Sequence, residues 1–464
     1  MASSIVHAEI PAERAAVTPI GRVVFAALRE QSVDTAVLTL AIWCVPLSIA
    51  VAEFFLAIAL LARIVGCARG RAQILLPRVF WFWLAWAGLA LLSCCLSPEP
   101  TAGKGEMRHL ALVGCLFFVM PAFQKQSSVR LAWKGAFIAS TLGSLFLIGD
   151  FISRCFYYRR EIAAGGDVGL YLRTGGLLNH WMVFGTVEIL IVAGLLSFWS
   201  FYPELRRRWW PVLALNGLAI LLSLTRTVWL ASLFLGAAVL AWRRSRWLWL
   251  LPAFVVTVFL LAPGAIRTRL RQSLSPDYYS NLERVQMLRV GWKMIKQHSL
   301  TGVGPGRIEK LYPAYLSAGD PVPAYHGHLH NNLVEIAAEF GVPTTLAALA
   351  FCGVLLLDLR RALLTATARE ARFASLAALL GLSGFLLAGF FDYTYGHSLG
   401  LILLAFSVLP PLSLFSPPAQ VAAIFPGPFP VRGPARLAAT DRAGAGRSVL
   451  GDAAGLKPGA PKPK

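Results

Sequence analysis

"WMVFGTVEILIVAGLLSFWS", residues 181–200, is an apolar run in which Glu188 is the single charged side chain. A run of about 20 such residues is long enough to cross the hydrocarbon layer of a membrane as an α-helix. Similar runs predict an all-α fold, a polytopic transmembrane helical bundle of about 12 spans. The other predicted spans lie near 35–50, 51–66, 79–97, 108–124, 132–152, 210–224, 227–242, 247–263, 341–358, 373–391 and 397–415.

The composition supports a membrane protein and argues against a nucleic-acid-binding one. Hydrophobic residues make up 57% of the 464 residues and charged residues only 14%, whereas a soluble protein carries about 25% charged residues. The net charge is +20, but the basic residues form short clusters between the apolar runs instead of one continuous stripe. We therefore expect membrane lipid, and no nucleic acid, as the partner of these cations.

The basic clusters also predict the topology. They lie at 63–78, 125–134, 206–208, 243–246 and 360–372, in alternate short loops. By the positive-inside rule these loops are cytoplasmic, so the large connection 264–340 is periplasmic.

Five regions follow from this topology. They are a cytoplasmic N-terminal segment (1–34), nine spans (35–263), a large periplasmic loop with amphipathic helices and the catalytic motif (264–340), three further spans (341–415), and a tail (416–464). The tail is rich in Pro, Ala and Gly and is predicted to be a disordered cytoplasmic segment.

Cations collect on the predicted outer face, where the topology rule does not require them. Arg226, in "TRT" at 225–227, lies at the boundary between two spans, where an arginine either snorkels to the interface or is functional. Arg173 lies in the outer segment 153–180, and Arg284 and Arg289 lie on a predicted amphipathic helix at 281–297. Such a collection of cations suits an anionic ligand.

A Gly-rich turn follows the amphipathic helix. It contains Gly302, Gly304 and Gly306. Backbone amides in such a turn can approach phosphate oxygens, although most Gly-rich turns are only loops.

Three histidines stand at alternate positions in "HGHLHNNLVEIAAEFG", residues 326–341. In an extended strand His326, His328 and His330 share one side, a spacing that could serve zinc, but no clear carboxylate or cysteine completes the ligand set. Asn331 or Asn332 can cap the following helix. A neutral imidazole is also suited to taking a proton from a hydroxyl near neutral pH. Metal ligand, helix cap and general base are thus three interpretations of one stretch.

These motifs together resemble the O-antigen ligase and polymerase family of bacterial envelope enzymes. The resemblance rests on His330-Asn331 followed by Gly341 and Thr344, on the arginine-bearing helix with its Gly-x-Gly-x-Gly turn, on "TRT", and on "LRTGGLLNHWMVFG" at 172–185. Two departures, Thr227 in place of a usual glycine and Ser299 where proline is common, leave the subfamily open.

The resemblance implies a reaction and its location. An enzyme of this family in the bacterial inner membrane transfers a glycan from undecaprenyl diphosphate to an acceptor hydroxyl on the periplasmic face, with no metal and no cofactor. The acceptor is the lipid A-core oligosaccharide for a ligase and another lipid-linked repeat unit for a polymerase. A protein O-oligosaccharyltransferase of the same fold is a third alternative.

The resemblance also assigns roles to residues of this chain. His330 is the expected general base, with His328 as the alternative, and Arg226 and Arg284 are expected to bind the diphosphate. Arg289 and Arg173, which lie on the same predicted face, are expected to assist them, and Asn331, Gly304 and Gly341 are the structural positions of the motifs. Asp392, at the outer end of the eleventh predicted span, can orient an imidazole or an arginine, although a carboxylate at a helix end is usually only solvated. The rival class is a transporter, because Glu188 lies in mid-span and intramembrane carboxylates often mark ion paths.

Overall fold

The computed structural model describes residues 28–323, 326–414 and 421–423, which belong to one compact unit, Met1–Phe425. These residues are mainly helical, as the apolar runs predict. The helices are α1 (Val33–Cys44), α2 (Ile49–Ala68), α3 (Val79–Leu96), α4 (Lys104–Val119), α5 (Gln126–Tyr157), α6 (Arg159–Ala163), α7 (Val168–Tyr171), α8 (Trp181–Phe201), α9 (Arg206–Leu222), α10 (Arg226–Trp242), α11 (Leu251–Leu261), α12 (Gly264–Leu274), α13 (Tyr279–Gln297), α14 (Ile308–Leu311), α15 (Asn332–Phe340), α16 (Val342–Thr365), α17 (Arg369–Gly389) and α18 (Ser398–Leu414).

A helix occupies each of the predicted spans, but the helices differ in their capacity to cross a membrane. Seven are long and apolar enough to do so, and the chain is therefore a multi-pass membrane protein. The seven are Ile49–Ala68, Val79–Leu96, Pro100–Ala122, Gln126–Tyr157, Trp181–Phe201, Val342–Thr365 and Arg369–Gly389. The remaining predicted spans are shorter or, like α9, begin with several arginines, so a total of about 12 stays a prediction.

One small sheet departs from the all-α prediction. Strand β1 (Leu75–Pro77) pairs antiparallel with β2 (Val421–Ala423). The second strand lies in the tail that was predicted to be disordered. That prediction is wrong for these three residues, because their backbone groups hydrogen-bond to β1; the N-terminal residues 1–27 and the rest of the tail lie outside the described residues.

The centre of the bundle is formed by α8 and α17. In the apolar part of α8, 78% of the residues are buried, whereas in that of α2 only 22% are buried. A helix that is apolar on all sides is stable only when other helices surround it or lipid does. Here α17 covers α8 along much of its length, and α10 and α18 pack on the sides that remain.

Glu188 is part of a hydrogen-bonded cluster inside this core. Its carboxyl contacts the hydroxyl of Ser140 on α5, which in turn lies 2.6 Å from the amide oxygen of Asn216 on α9. The hydroxyl of Ser144 donates to the same amide oxygen at 3.1 Å. Hydrogen bonds between polar side chains hold helices together in a membrane. Glu188 thus links three helices through hydrogen bonds. This structural role is the alternative to the ion path that a mid-span carboxylate can mark.

Arginines at the end of the bundle that carries the basic clusters are paired with acids. Arg78 donates to Asp358 at 2.7 Å and 2.5 Å, Arg63 lies 3.2 Å from Asp34, and Arg130 lies 3.0 Å from Glu370. These pairs connect different helices, so part of the positive charge of the chain has a structural role.

The segment 264–340 folds around a small core of its own. Met287, Val290 and Met294 on α13 pack with Tyr312 and Leu329. The predicted amphipathic helix is confirmed with bounds Tyr279–Gln297. Its apolar residues divide between two faces, however, because Gly291 is buried against α15 whereas Val285, Leu288 and Trp292 are exposed.

Candidate active site

A cavity of about 630 Å³ lies where five separate segments of the chain meet. The segments are 173–183, 225–227, 269–287, 328–330 and 392–397, each at the end of a helix or in the loop beside one. Six of the residues singled out from the sequence line this cavity. They are His328, His330, Arg173, Arg226, Arg284 and Asp392.

His330 forms a pair with Asp392 at the wall of this cavity. Its Nδ1 lies 2.9 Å from Oδ1 of Asp392, and the two side chains are 18% and 6% exposed. Burial alone would raise the pKa of the Asp392 carboxyl, but the hydrogen bond and the charges of His330, Arg284 and His397 lower it overall. An ionised, buried carboxylate on Nδ1 is the arrangement that prepares Nε2 of an imidazole to accept a proton.

The backbone also fixes the direction of His330. Its φ is 50°, a left-handed conformation that a residue with a Cβ seldom adopts. The next residue, Asn331, caps α15, since its side-chain oxygen accepts from the amides of Leu333 and Val334 at 3.0 Å each. The helix cap and the imidazole that contacts Asp392 therefore belong to neighbouring residues with separate partners.

His328 is held by a different carboxyl. Its Nδ1 lies 3.1 Å from Oε1 of Glu335 on α15, and its ring stacks on that of Tyr393 with centroids 4.0 Å apart. The Tyr393 hydroxyl donates to Glu106 at 2.5 Å. A network of this kind fixes the orientation of the imidazole.

The three alternate histidines have three different partners. Nδ1 of His326 lies 3.0 Å from the carbonyl oxygen of Pro323, and His326 is not among the residues that line the cavity. Within the described ranges, 28–323, 326–414 and 421–423, His, Cys, Asp and Glu side chains form no group of three or more that could hold a metal ion. The zinc interpretation of the motif thus has no support in this geometry.

Four arginines line the cavity, and three of them come from α10, α12 and α13. Arg226 donates to Asn281 at 2.6 Å and to Ser280 at 3.2 Å, and Arg269 donates to the hydroxyl of Tyr278 at 2.8 Å. The third, Arg284, makes no hydrogen bond or ion pair with any residue that the structure describes. The partners of Arg226 and Arg269 are neutral, in contrast to the arginine pairs at the other end of the bundle.

The fourth arginine, Arg173, lies 3.8 Å above the ring of Trp181. Burial, together with the charge of Arg269, lowers the pKa of its guanidinium to about 10, so it stays charged at neutral pH. Because all four cations converge on one partly buried space without a carboxylate partner among the described residues, the cavity is built to receive an anion.

A family comparison agrees with this geometry. Residues 211–349 match the family model described as O-antigen ligase. We call residues 211–349 the O-antigen ligase domain, after the family model that they match. The resemblance inferred from the motifs is thereby confirmed, and no curated protein matches the chain. The matched residues contain Arg226, Arg269, Arg284, His328 and His330, whereas Arg173 and Asp392 complete the cavity from outside the O-antigen ligase domain.

Arg289 of the O-antigen ligase domain does not join the cavity. It lies on α13 one turn beyond Arg284 but is exposed and absent from the lining. Five residues correspond to 500° of rotation on a helix with 3.6 residues per turn, which places Arg289 about 140° away from Arg284. The prediction that both arginines serve the same site disregarded this rotation.

The Gly-rich turn of the O-antigen ligase domain uses its amides for packing. The Val303 amide donates to the carbonyl of Ala338 at 2.8 Å, and the Gly304 amide donates to that of Glu339 at 3.1 Å. The Gly306 amide donates to the Glu339 side chain at 2.7 Å. These amides are therefore occupied, and the suggestion that they approach a phosphate has no support.

Glycine is required in this turn by its close packing. The three glycines have φ of 69°, 98° and 69°, and a Cβ on Gly304 would lie 2.2 Å from Oγ of Ser97. Gly304 thus has a structural role.

Several residues of the cavity were not selected from the sequence. Arg269 was one of many loop cations, and Glu283 was not considered beside Arg284. His180 and His397 also line the cavity. One signal was present: four of the chain's eight histidines line this space, and a rare residue that recurs in separate loops on one predicted side is informative.

Proposed function

We propose that this chain is an O-antigen ligase-like glycosyltransferase that moves a glycan from undecaprenyl diphosphate to a hydroxyl of the lipid A-core oligosaccharide. The reaction takes place on the periplasmic face of the bacterial inner membrane. The observation that carries the proposal is the convergence of an imidazole–carboxylate pair, His330–Asp392, with four arginines that lack carboxylate partners among the described residues.

The arginines are assigned to the diphosphate of the donor. A guanidinium is permanently charged and can donate two parallel hydrogen bonds to phosphate oxygens. Each hydrogen bond to a charged group contributes about 1.5–3 kcal/mol, and more than one arginine can engage the group at once. Arg226 and Arg284 are the principal ligands, and Arg173 and Arg269 add to them. Four cations can supply the charge that a divalent metal supplies in other transferases, and we propose a metal-independent reaction.

The chemical step is one displacement at the anomeric carbon. Nε2 of His330 takes the proton of the acceptor hydroxyl while that oxygen forms the new bond to the anomeric carbon. The bond from this carbon to the phosphate oxygen breaks, and its electron pair leaves with the undecaprenyl diphosphate. Because the acceptor attacks opposite the leaving group, the configuration inverts. A positioned base contributes about 10²–10⁴-fold to such a step.

The direct test is glycan transfer in membranes that contain single-residue variants. We expect His330→Ala to reduce turnover by about 10²–10⁴-fold. Arg284→Ala should reduce donor affinity by about 10- to 150-fold, the equivalent of one lost charged hydrogen bond. Arg289→Ala is the matched control, since it removes a cation from the same helix but outside the cavity. Wild-type turnover in both His330→Ala and Arg284→Ala would end the proposal.

A deletion strain distinguishes ligase from polymerase. Loss of all polymer on lipid A-core, with polymer accumulating on the carrier, identifies a ligase. Lipid A-core capped by a single repeat unit identifies a polymerase. Unchanged lipopolysaccharide together with loss of glycans from proteins identifies a protein O-oligosaccharyltransferase.

A further inference from the structure

Two histidine–carboxyl pairs line the same cavity. In each, Nδ1 is held by a buried carboxyl, at 2.9 Å in His330–Asp392 and at 3.1 Å in His328–Glu335. Nε2 therefore lies at the opposite edge of each ring. The connectivity is identical, so the protonation of each pair depends on the groups around it.

Asp392 lies among cations and donors. Besides His330, the charge of Arg284 acts on it, and the amide of Tyr393 donates to its Oδ1 at 3.1 Å. These groups favour the ionised carboxylate, which accepts Nδ1–H of His330. The ring then carries a lone pair on Nε2 and can take a proton.

Glu335 lies among acids. It is 1% exposed, burial raises the pKa of its carboxyl, and the negative charge of Glu106 adds to that effect. Glu339, one turn further along α15, is 3% exposed, and its carboxyl is affected by Glu335 and Glu106 in the same way. Carboxyls that share a poorly solvated space retain protons.

The surroundings of His328 also favour the protonated form of its imidazole. Burial alone would lower the pKa of its imidazole, but the hydrogen bond to Glu335 and the charges of Glu335, Glu106 and Glu309 together raise it. The surroundings of both groups therefore favour a pair that holds one proton between Nδ1 and Oε1 and a second on Nε2. Whichever partner carries the shared proton, Nε2 of His328 bears a hydrogen.

We propose that the two pairs differ by one proton and have opposite roles. His330–Asp392 accepts the proton of the acceptor hydroxyl, and His328–Glu335 donates Nε2–H to an oxygen of the bound donor. This division of roles rests on the glycosyl transfer proposed above. The proton on His328 is shared in a hydrogen bond and not transferred, so the stoichiometry of the displacement is unchanged.

Glu335 and Tyr393 are positioning residues in this scheme. Oε2 of Glu335 accepts from the amide of Leu329 at 2.6 Å, which fixes Oε1 toward His328. The Tyr393 ring supports the imidazole from one face. Both act on the donor through His328.

The test replaces each histidine by glutamine. A glutamine amide can donate a hydrogen bond, but it cannot accept a proton near neutral pH. We expect His328→Gln to keep turnover within about tenfold of the wild type, the equivalent of one weakened hydrogen bond. His330→Gln should lose about 10²–10⁴-fold. His328→Phe, which keeps a ring against Tyr393 but has no donor, should be slower than His328→Gln.

The pH dependence gives a readout that a structural role would not change. The fall of kcat/KM toward low pH reports protonation of the base, so it should persist in His328→Gln with the wild-type midpoint. Thermal melting of each purified variant separates misfolding from lost chemistry, and Glu339→Gln is the control for a buried Glu→Gln change in α15.

Two results would overturn the inference. If His328→Gln loses as much activity as His330→Gln, or loses the low-pH fall, His328 is a base and not a donor. If His328→Phe equals His328→Gln, no donated hydrogen bond exists. In both cases transfer would still require His330 and Arg284, whereas indifference of transfer to every one of these variants would remove the proposed function itself.

Discussion

His330 has a strained backbone conformation, and the contacts of its own side chain and of Asn331 explain it. A left-handed residue other than glycine costs on the order of 1–3 kcal/mol and persists where the surroundings impose it. Here the surroundings are the cap of α15 by Asn331 on one side and the bond to Asp392 on the other. These contacts fix the imidazole in one orientation, with Nδ1 toward Asp392.

For Asp392, the pH dependence of its contribution to stability should differ from the pH dependence of transfer. Its pKa is lowered from the ordinary value of 3.8, so its contribution to stability is fully present above that value and is lost only as the pH falls through the folded pKa. Between about pH 5 and about pH 8, the difference in melting temperature between the wild type and Asp392→Asn should therefore be constant. Transfer, in contrast, needs a deprotonated base and should fall as the pH is lowered.

Parallel measurements of melting and transfer at each pH check this expectation. A melting difference that shrinks between pH 8 and pH 5 would show that Asp392 titrates in this window and does not hold a fixed charge. Asp358, which pairs with Arg78 at the other end of the bundle, supplies the control: Asp358→Asn should change melting without changing the pH profile of transfer.

Individual site residues were predictable where a short motif carried them. His330, Arg226 and Arg284 belong to such motifs, and the structure brings all three to one cavity. Arg269 and Glu283 were not selected, because a single sequence gives no measure of which loop cation or acid faces inward. That choice is made by packing between segments more than 100 residues apart in the chain.

At the scale of elements, the Gly-rich turn and α15 form one rigid unit. Gly341 ends α15 with φ of 85°, and a Cβ there would lie 2.2 Å from the carbonyl oxygen of Leu300. Its amide donates to Ala337 at 3.1 Å. The turn thus determines where α15 stops and, through α15, where His328 and His330 stand.

We expect Gly341→Ala to lower the melting temperature and to reduce transfer. The backbone strain costs about 1–3 kcal/mol, and the steric conflict with Leu300 adds to it. Thermal unfolding in detergent and transfer in membranes measure the two effects. Gly353→Ala, in α16 with open space around the new Cβ, is the matched control and should melt at or slightly above the wild-type temperature. Equal melting of both variants would contradict the packing described.

Sequence periodicity predicted where the helices lie better than it predicted which of their faces are buried. The helix at 281–297 was found within two residues of its predicted start, because a 3.6-residue repeat is a local property. Which of its apolar residues are buried depends on α15, which packs against it from more than 30 residues away. The same limit explains why Arg284 and Arg289 were grouped together.

At the scale of the whole molecule, the bundle has two chemically different ends. One end holds arginines in ion pairs with acids, such as Arg78–Asp358 and Arg130–Glu370. The other end holds the cavity, in which the cations lack carboxylate partners among the described residues. The first end carries the basic clusters for which the positive-inside rule predicts a cytoplasmic location.

Fusions to alkaline phosphatase test the orientation. This reporter is active only where its disulfides form, in the periplasm. We expect activity when it is fused after Ala318, in a loop of the segment 264–340, and no activity when it is fused after Ser245, in a basic cluster. β-galactosidase fusions at the same positions should give the reciprocal result. Active phosphatase at 245 and inactive phosphatase at 318 would place the cavity in the cytoplasm.

The overall architecture followed from composition, whereas the number of spans did not. Long apolar runs predicted a helical membrane protein, and seven helices meet the length and hydropathy needed. The apolar helices α1, α10 and α18 are shorter than this length. Their position relative to a bilayer depends on tilt and on the neighbouring helices, and length alone does not determine it.

The eleven residues of α11 include none that is buried, whereas α8 is buried along most of its length. A side chain that faces lipid needs only to be apolar. We therefore expect α11 to tolerate exchanges between apolar residues. In α8 the shape of each residue matters as well, because a neighbour fills every gap. Among related sequences, α11 should therefore drift freely between Leu, Val, Ile and Phe, and α8 should change slowly.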